Sequence, residues 1–174
     1  MLTGIEKFKD VVSPDLCDSL INLMDLNIPN SINKVHSHGQ NVVCREIILP
    51  LHSELDTAVY GVITKVVELY KEKYTHVRVS GDTGYQLRKI TGETRIHVDN
   101  ISKLYRNISI ILGLNSNYEK GEFHFPLQDF STTVKRGEAI VFPVYFMYPH
   151  SVDAPIGNRY TINTWMIDSD SSFK

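Results

Sequence analysis

The pattern of apolar and polar residues changes near residue 76. Before that point, residues 13–26 and 53–74 carry apolar side chains at helical spacing, and each stretch opens with a serine of the kind that caps a helix. These two stretches predict covering helices. The segment around 29–42 has turn residues and no period, and this predicts a long loop.

From residue 76 onward the chain consists of short β-rich runs separated by turn residues. The runs are HVRV (76–79), YQLRKI (85–90), TRIHVD (94–99), RNISIILGLN (106–115), GEFHFP (121–126), STTVK (131–135), EAIVFP (138–143), YPHSV (148–152) and RYTINTWMI (159–167). Many short strands after two helices predict an α+β protein with a double-sheet jelly roll, in which the helices buttress one sheet. We expect a single domain over residues 1–174, with helical support at about 1–75 and a jelly-roll core at about 76–168.

Composition excludes several classes of protein. The formal net charge is −2 and the basic residues are scattered, so there is no footprint for binding a long nucleic acid. The chain carries no long apolar run, which predicts neither a signal peptide nor a membrane span. With only Cys17 and Cys44, and with Cys17 in a predicted helix, we expect a reducing, cytoplasmic location. The sequence does not indicate an oligomeric state.

Candidate chemistry begins in TRIHVDN, residues 94–100. In a strand, His97 and Asp99 point to the same face because side chains alternate with a period of two. His150 lies in a later strand run. Two histidines and one carboxylate with open positions form the facial triad of non-haem Fe(II) oxygenases, so the sequence predicts an iron site at these three residues.

Arg159 opens the last long strand. Its guanidinium matches a carboxylate in a bidentate manner, and near a metal it suggests an anionic co-substrate. Thr161, Asn163 and Trp165 share the strand face of Arg159 by alternation. This polar row predicts a pocket lining, although a solvent-facing row would show the same pattern.

These motifs resemble a known family. The run from Tyr85 to Asp168 resembles the core of the Fe(II)- and 2-oxoglutarate-dependent dioxygenases, within them the prolyl 4-hydroxylase-like group. The matching pieces are HVD (97–99), RNISIILGLN (106–115), KGEFHFP (120–126), VKRGEAIVFP (134–143), YPHSV (148–152) and GNRYTINTW (157–165). The ordered series is more specific than the H-x-D motif alone.

The resemblance implies a double-stranded β-helix with Fe(II) held by His97, Asp99 and His150. It further implies that 2-oxoglutarate chelates the iron and meets Arg159 through its distal carboxylate. Members of the family consume O2, release succinate and CO2, and hydroxylate an unactivated C–H bond. Ascorbate is the expected reductant in vitro.

The same resemblance implies further pocket residues. Ile111 and Phe123 would point into the barrel beside the co-substrate, and Trp165 would close its floor. Several relatives carry a tyrosine that hydrogen-bonds 2-oxoglutarate, but the two matching positions here hold Gly113 and Leu87. Candidates to supply the missing hydrogen bond are Tyr85, Thr161 and Asn163.

The remaining histidines are interpreted differently. His36, His38, His52 and His76 fit solvated surface positions. His124 shares a short strand with Phe123 but takes the opposite face, and we favour a structural or substrate-rim role over a ligand role.

The substrate stays open at the level of the sequence. By resemblance, a prolyl residue in a peptide or protein is the first expectation. The alternatives are another protein side chain, a free amino acid, a small metabolite or a nucleobase. A non-catalytic metal-binding jelly-roll module and a cupin-like metalloenzyme that does not use 2-oxoglutarate are the competing classes. Loops around 29–42 and 100–106 would recognise the substrate, and we expect the first to act as a lid that orders over the iron.

Overall fold

A computed structural model describes residues 3–35, 42–100 and 105–168. Its helices are α1 (Pro14–Leu26), a short 3-10 helix (Ile28–Asn30) and α2 (Glu54–Lys73). Its strands are β1 (Glu6–Phe8), β2 (Ile32–Val35), β3 (Val42–Ile48), β4 (Gly81–Asp82), β5 (Gln86–Ile90), β6 (Thr94–His97), β7 (Arg106–Gly113), β8 (Glu119–Lys120), β9 (Phe123–Phe125), β10 (Phe130–Thr132), β11 (Ala139–Pro143), β12 (His150–Val152), β13 (Pro155–Ile156) and β14 (Arg159–Ile167). None of the helices in these ranges is long and apolar enough to cross a membrane.

Both predicted helices are confirmed, and both begin at the predicted serine caps. The Ser13 hydroxyl accepts a hydrogen bond from the backbone N–H of Leu16 at 3.3 Å. The Ser53 hydroxyl accepts one from Asp56 at 3.2 Å. These bonds satisfy N–H groups that have no partner within the helix. Each helix can therefore start abruptly and lay its apolar face on the sheet.

The strands form two facing sheets of a jelly roll. The large sheet runs β1–β11–β7–β14–β5–β3–β2, with β4 paired to the end of β14. The small sheet runs β10–β9–β12–β6, and β8 pairs with β13 in a separate ladder. Two helices that pack against the large sheet of a two-sheet jelly roll confirm the predicted α+β class.

Strand β7 shows how the core is divided. Ile108, Ile110 and Leu112 face the helices and belong to the larger apolar cluster, which α1 and α2 cover. Ile111 faces the other way, into a second cluster between the two sheets. Because side chains alternate with a period of two, one face of the large sheet packs against the helices and the other face lines the interior of the barrel.

The structure corrects two predictions about secondary structure. The segment around 29–42 is not a loop throughout, because β2 and β3 pair in antiparallel register and β3 extends the large sheet beside β5. The intervening residues 36–41, which include His36 and His38, lie outside the described residues, and so do residues 101–104 of the second predicted recognition loop. Residues 76–79 form no strand. The first 75 residues therefore supply strands β1–β3 as well as helices.

Candidate active site

The structure brings the three predicted iron ligands together. His97 ends β6 and His150 begins β12, and the two residues are direct partners across this strand pair. Asp99 follows two residues after the end of β6. The ligand atoms of all three residues lie within 4.8 Å of one another. Asp99 Oδ1 is 3.2 Å from His97 Nε2, and Asp99 Oδ2 is 3.8 Å from His150 Nε2.

Backbone carbonyls orient both imidazole rings. His97 Nδ1 lies 2.8 Å from the carbonyl oxygen of Arg95, and His150 Nδ1 lies 3.2 Å from that of Tyr148. A ring that donates from Nδ1 to a carbonyl keeps the lone pair of Nε2 free, and this is how ligating histidines are commonly fixed. Both free nitrogens point toward Asp99, so the three residues could hold one metal ion.

The carboxylate of Asp99 is held by its own set of contacts. The Ser109 hydroxyl donates to Asp99 Oδ2 at 2.5 Å, and Arg106 donates to the Asp99 carbonyl oxygen at 3.1 Å. Burial alone raises the pKa of Asp99, but contacts with His97, His150 and Ser109 outweigh it and hold that pKa well below its usual range. Asp99 is therefore an anion at neutral pH, as a metal ligand must be.

The two histidines differ in their surroundings. The hydrogen bond with Asp99 raises the pKa of His97, whereas burial lowers the pKa of His150. The His97 side chain is 39% exposed, but that of His150 is only 4% exposed. The site therefore opens to solvent on the His97 side and is closed behind His150 by Phe125 and Phe142.

Arg159 is a buried cation that has no carboxylate partner among the described residues. It is 3% exposed, donates to the carbonyl oxygen of Gly121 at 3.2 Å and lies over the Phe123 ring at 5.0 Å. Within the part of the chain that the structure describes, no carboxylate lies in ion-pair range and its Nε has no partner. Burial lowers its pKa to about 10, so the guanidinium remains charged at neutral pH. An unpaired buried charge is costly unless an anion binds it.

The glycine beside Arg159 leaves room for that charge. Gly121 has φ +71°, and a Cβ there would lie 3.1 Å from the Tyr118 ring and 3.4 Å from Arg159 Cδ. Tyr118 itself is buried and donates to the carbonyl oxygen of Val134 at 2.8 Å. Only glycine combines this backbone conformation with these close neighbours.

The other predicted pocket residues separate into two groups. Alternation places Arg159, Thr161, Asn163 and Trp165 on one face of β14, opposite Tyr160 and Ile162 in the helix-side core. Ile111 and Phe123 lie in the cluster between the sheets. Tyr85 instead lies in the helix-side core and donates to Asp82 at 2.8 Å, so the structure does not bring it to the site.

Thr161 and Trp165 make contacts that shape the site. The Thr161 hydroxyl donates to Asn163 Oδ1 at 2.7 Å. The Arg106 guanidinium lies 3.9 Å from the Trp165 ring centroid, and Arg88 approaches the same ring at 5.7 Å. Cation–π contact with these guanidinium groups helps to hold the indole ring in place. These contacts immobilise the inner face of β14 next to Asp99.

Sequence reasoning missed a charged network beside the triad. Arg88 donates to Glu46 at 2.7 Å, and Lys34 pairs with the same carboxylate at 3.2 Å. Glu46 is 2% exposed, so the pair joins β3 to β5 inside the barrel mouth. Alternation in YQLRKI would have placed Arg88 on the inner face with Gln86. Its carboxylate partner comes from β3, which the sequence analysis did not predict as a strand.

A cleft leads from this network to the triad. It has a volume of about 360 Å³ and lies between β3 of the large sheet and β6, the edge strand of the small sheet. Its lining residues are Lys34, Val43, Cys44, Arg88, Glu93, Thr94, Arg95, Ile96 and His97. The exposed side of the candidate metal site therefore faces a cleft large enough for a small molecule or one peptide side chain.

The fold and this geometry agree with a sequence comparison. The sequence model of the 2OG-Fe(II) oxygenase superfamily matches residues 85–167 of the chain. Together with the fold and the His-Asp-His cluster, this match supports a 2-oxoglutarate-dependent Fe(II) dioxygenase, with Fe(II), 2-oxoglutarate and O2 as cofactor and co-substrates. A search of curated protein sequences found no match.

Solved structures share the fold over nearly the whole chain. A viral collagen prolyl hydroxylase from Paramecium Bursaria Chlorella virus-1, in complex with 2OG, superposes with a TM-score of 0.73 at 17% identity, covering 96% of this chain and 97% of that chain. A Trichoplax adhaerens prolyl hydroxylase, in complex with a hypoxia inducible factor peptide fragment, gives 0.73 at 14% identity, covering 95% and 84%. A Pseudomonas putida prolyl-4-hydroxylase gives 0.72 at 15% identity, covering 94% and 92%. At these identities the likeness concerns the fold.

The residues present fit the groups that the family uses. Two neutral imidazoles and one carboxylate are the donor set of a non-haem Fe(II) centre. Arg159 is the unsatisfied buried cation that an acidic co-substrate would complete. The path between them, Phe123 to Phe125 to His150, is lined with aromatic rings that exclude water.

Proposed function

We propose that this chain is a hydroxylase in which His97, Asp99 and His150 hold Fe(II) while Arg159 holds the distal carboxylate of 2-oxoglutarate. The single observation that carries the proposal is the coexistence of the triad with a buried guanidinium that has no carboxylate partner among the described residues. A structural metal site is usually closed by protein ligands, and it needs no neighbouring anion site.

The balanced reaction converts a substrate C–H bond, O2 and 2-oxoglutarate into C–OH, succinate and CO2. One oxygen atom enters the hydroxyl group and the other enters succinate. The bound iron and 2-oxoglutarate supply this oxidising chemistry, whereas the protein supplies placement, charge and exclusion of water.

The role of each side chain follows from its position. Asp99 contributes the negative charge of the ligand set, and Ser109 keeps its carboxylate oriented. Arg159 binds and orients the co-substrate through a charge-assisted pair formed in a dry pocket. Phe123 and Ile111 exclude water from the space between Arg159 and the triad.

The proposed substrate is a residue of a peptide or protein, with proline as the first candidate. The cleft beside His97 is open along the edge of β6, so an extended chain could lie across it and insert one side chain. The peptide-bound structure of a protein with the same fold supports this choice. We also propose that residues 1–174 act as one domain, because β1–β3 join the large sheet formed by the strands of the family match.

Succinate and hydroxylated product should be measured together to test the proposal. The purified protein, loaded with Fe(II) and supplied with 2-oxoglutarate, O2 and ascorbate, is offered proline-containing peptides and, in parallel, free amino acids and nucleosides. Succinate formed in a one-to-one ratio with hydroxyproline supports the peptide substrate. Stoichiometric hydroxylation of a free amino acid or nucleoside would show that this compound, and not a peptide, is the substrate. Absence of succinate in every mixture, with metal bound, would favour a non-catalytic module.

A further inference from the structure

A second cluster of metal-ligating groups lies on the outer face of the small sheet. Glu122 directly precedes β9, His124 lies within this strand, and Asp153 directly follows β12. Their ligand atoms lie within 4.8 Å of one another. Phe123 and Val152 point into the core between the sheets, so the cluster and the iron triad lie on opposite faces of one sheet.

The strand pairing holds the three side chains in place. His124 is the direct partner of Ser151 across β9 and β12, and the backbone N–H of Asp153 donates to the carbonyl oxygen of Glu122 at 3.0 Å. This bond fixes the separation between the two carboxylate-bearing segments. The three donors therefore come from a rigid ladder.

The imidazole of His124 is oriented in the manner of a metal ligand. Its Nδ1 lies 2.9 Å from the Ser131 hydroxyl, while its Nε2 lies 3.1 Å from Asp153 Oδ2. The contact between Nδ1 and the Ser131 hydroxyl holds the ring in an orientation in which Nε2 faces the Asp153 carboxylate. A ligating histidine usually has such a second partner.

The charge of the cluster favours a divalent cation. Glu122 and Asp153 bring two carboxylates together, and no lysine or arginine pairs with either one within the described ranges of the chain. The side chains of His124 and Asp153 are 37% and 50% exposed, so an ion can reach them. One neutral imidazole and two carboxylates would compensate a 2+ charge.

We propose that Glu122, His124 and Asp153 form a second divalent-cation site, selective for an ion of the Zn²⁺ type, that clamps β9 to β12. The mixed nitrogen and oxygen donor set suits Zn²⁺ better than Ca²⁺ or Mg²⁺, which prefer oxygen alone. Three protein ligands leave a position for water. The proposal does not depend on the proposed function, since none of these residues lines the cleft or the triad.

Occupation of this site has a structural consequence. Strand β12 begins with His150, and β9 lies next to it in the small sheet. A cation that bridges β9 and β12 binds the folded chain alone, and so it stabilises that state by an amount that grows with the logarithm of its concentration above the dissociation constant.

The test separates the two metal sites by mutation. In a full-length background carrying Asp99→Ala and His150→Ala, the triad cannot bind, and Co²⁺ serves as a spectroscopic stand-in for Zn²⁺. Calorimetry and visible absorption should show one equivalent of bound Co²⁺. Adding His124→Ala should lower the affinity at least tenfold, and Ser131→Ala should lower it less. Adding His76→Ala, which removes an exposed histidine elsewhere, should change nothing.

Two further variants guard against a folding artefact. Glu122→Gln and Asp153→Asn preserve side-chain size, and each should weaken Co²⁺ binding while leaving the circular dichroism spectrum unchanged. Zn²⁺ should raise the unfolding temperature of the background protein but not of its His124→Ala derivative. Undiminished Co²⁺ binding after His124→Ala, or no binding by the background protein at about 100 µM Co²⁺, would overturn the proposal.

Discussion

The imidazole rings of His97 and His150 face each other across β6 and β12, with ring centroids 4.4 Å apart. This relationship depends on a cross-strand pairing, because direct partners in an antiparallel ladder bring their side chains close together. Asp99 completes the group from the residues just after β6. A register shift of one residue would turn one imidazole to the outside of the barrel. The metal site therefore requires the observed strand pairing of the small sheet.

Loss of the Ser109 hydroxyl should weaken metal binding. Ser109→Ala removes the 2.5 Å hydrogen bond to Asp99 Oδ2 and frees the carboxylate to rotate. We expect Fe(II) affinity to fall by about 10–100-fold, as is typical for an outer partner of a metal ligand. Anaerobic titration with Fe(II) measures it. Thr164→Val is the matched control, because the buried Thr164 hydroxyl has no hydrogen-bond partner among the described residues; equal affinities for the two variants would contradict the role given to Ser109.

Loss of the Arg159 guanidinium should affect the co-substrate and spare the metal. Arg159→Ala removes the proposed partner of the distal carboxylate, and breaking one desolvated charge pair costs about 2–5 kcal/mol. The dissociation constant of 2-oxoglutarate should therefore rise about a hundredfold or more, with Fe(II) affinity unchanged. Arg45→Ala, whose guanidinium contacts the backbone at Ile28, is the control. Unchanged 2-oxoglutarate binding in Arg159→Ala would show that another cation holds it.

Two glycine substitutions should have opposite effects on stability. Gly121→Ala forces a Cβ against Tyr118 at a backbone φ of +71°, and we expect it to cost about 1–3 kcal/mol. Gly61→Ala in α2 meets nothing within 4 Å and should stabilise by up to about 1 kcal/mol. Urea denaturation measures both. If Gly121→Ala is neutral, Tyr118 and Arg159 pack less tightly around Gly121 than described.

Deprotonation of the Cys44 thiol should lower the free energy of unfolding at alkaline pH. Burial raises the pKa of the Cys44 thiol from 9.0 to about 11. The unfolded chain therefore releases this proton first, so the contribution is fully present below pH 9 and disappears as the pH rises toward 11. A shift of this size corresponds to about 2–3 kcal/mol. Between pH 9 and 11, the unfolding free energy of wild type should fall more steeply than that of Cys44→Ala; parallel curves would contradict the prediction.

The sequence predicted those parts of the fold that depend on local pattern. Both helices could be read from apolar spacing and serine caps, and β14 from strict alternation around Ile162. The hairpin of β2 and β3 was not predicted, because β2 lies among turn residues and β3 is stabilised by pairing with β5, far away in the chain. The Lys34–Glu46–Arg88 network was missed for the same reason.

The site was predictable in its spacing but not in its supporting contacts. The positions of His97, Asp99 and His150 could be proposed from residue type and order. Tyr85 was a reasonable candidate for the pocket, yet alternation with Leu87 places both on the helix side of β5. Ser109 gave no local signal, since it stands as one polar residue within an apolar strand and its partner arrives through tertiary packing.

The most direct measurement of the central claim is succinate formation from 2-oxoglutarate by wild type and by Asp99→Ala, with Fe(II), O2 and ascorbate present. The account predicts steady succinate release by wild type and a loss of about a hundredfold or more in Asp99→Ala, because that variant lacks the only carboxylate of the proposed ligand set. Arg159→Ala should recover part of its activity at high 2-oxoglutarate, whereas Asp99→Ala should not. Full succinate release by Asp99→Ala would contradict the assignment of the metal site.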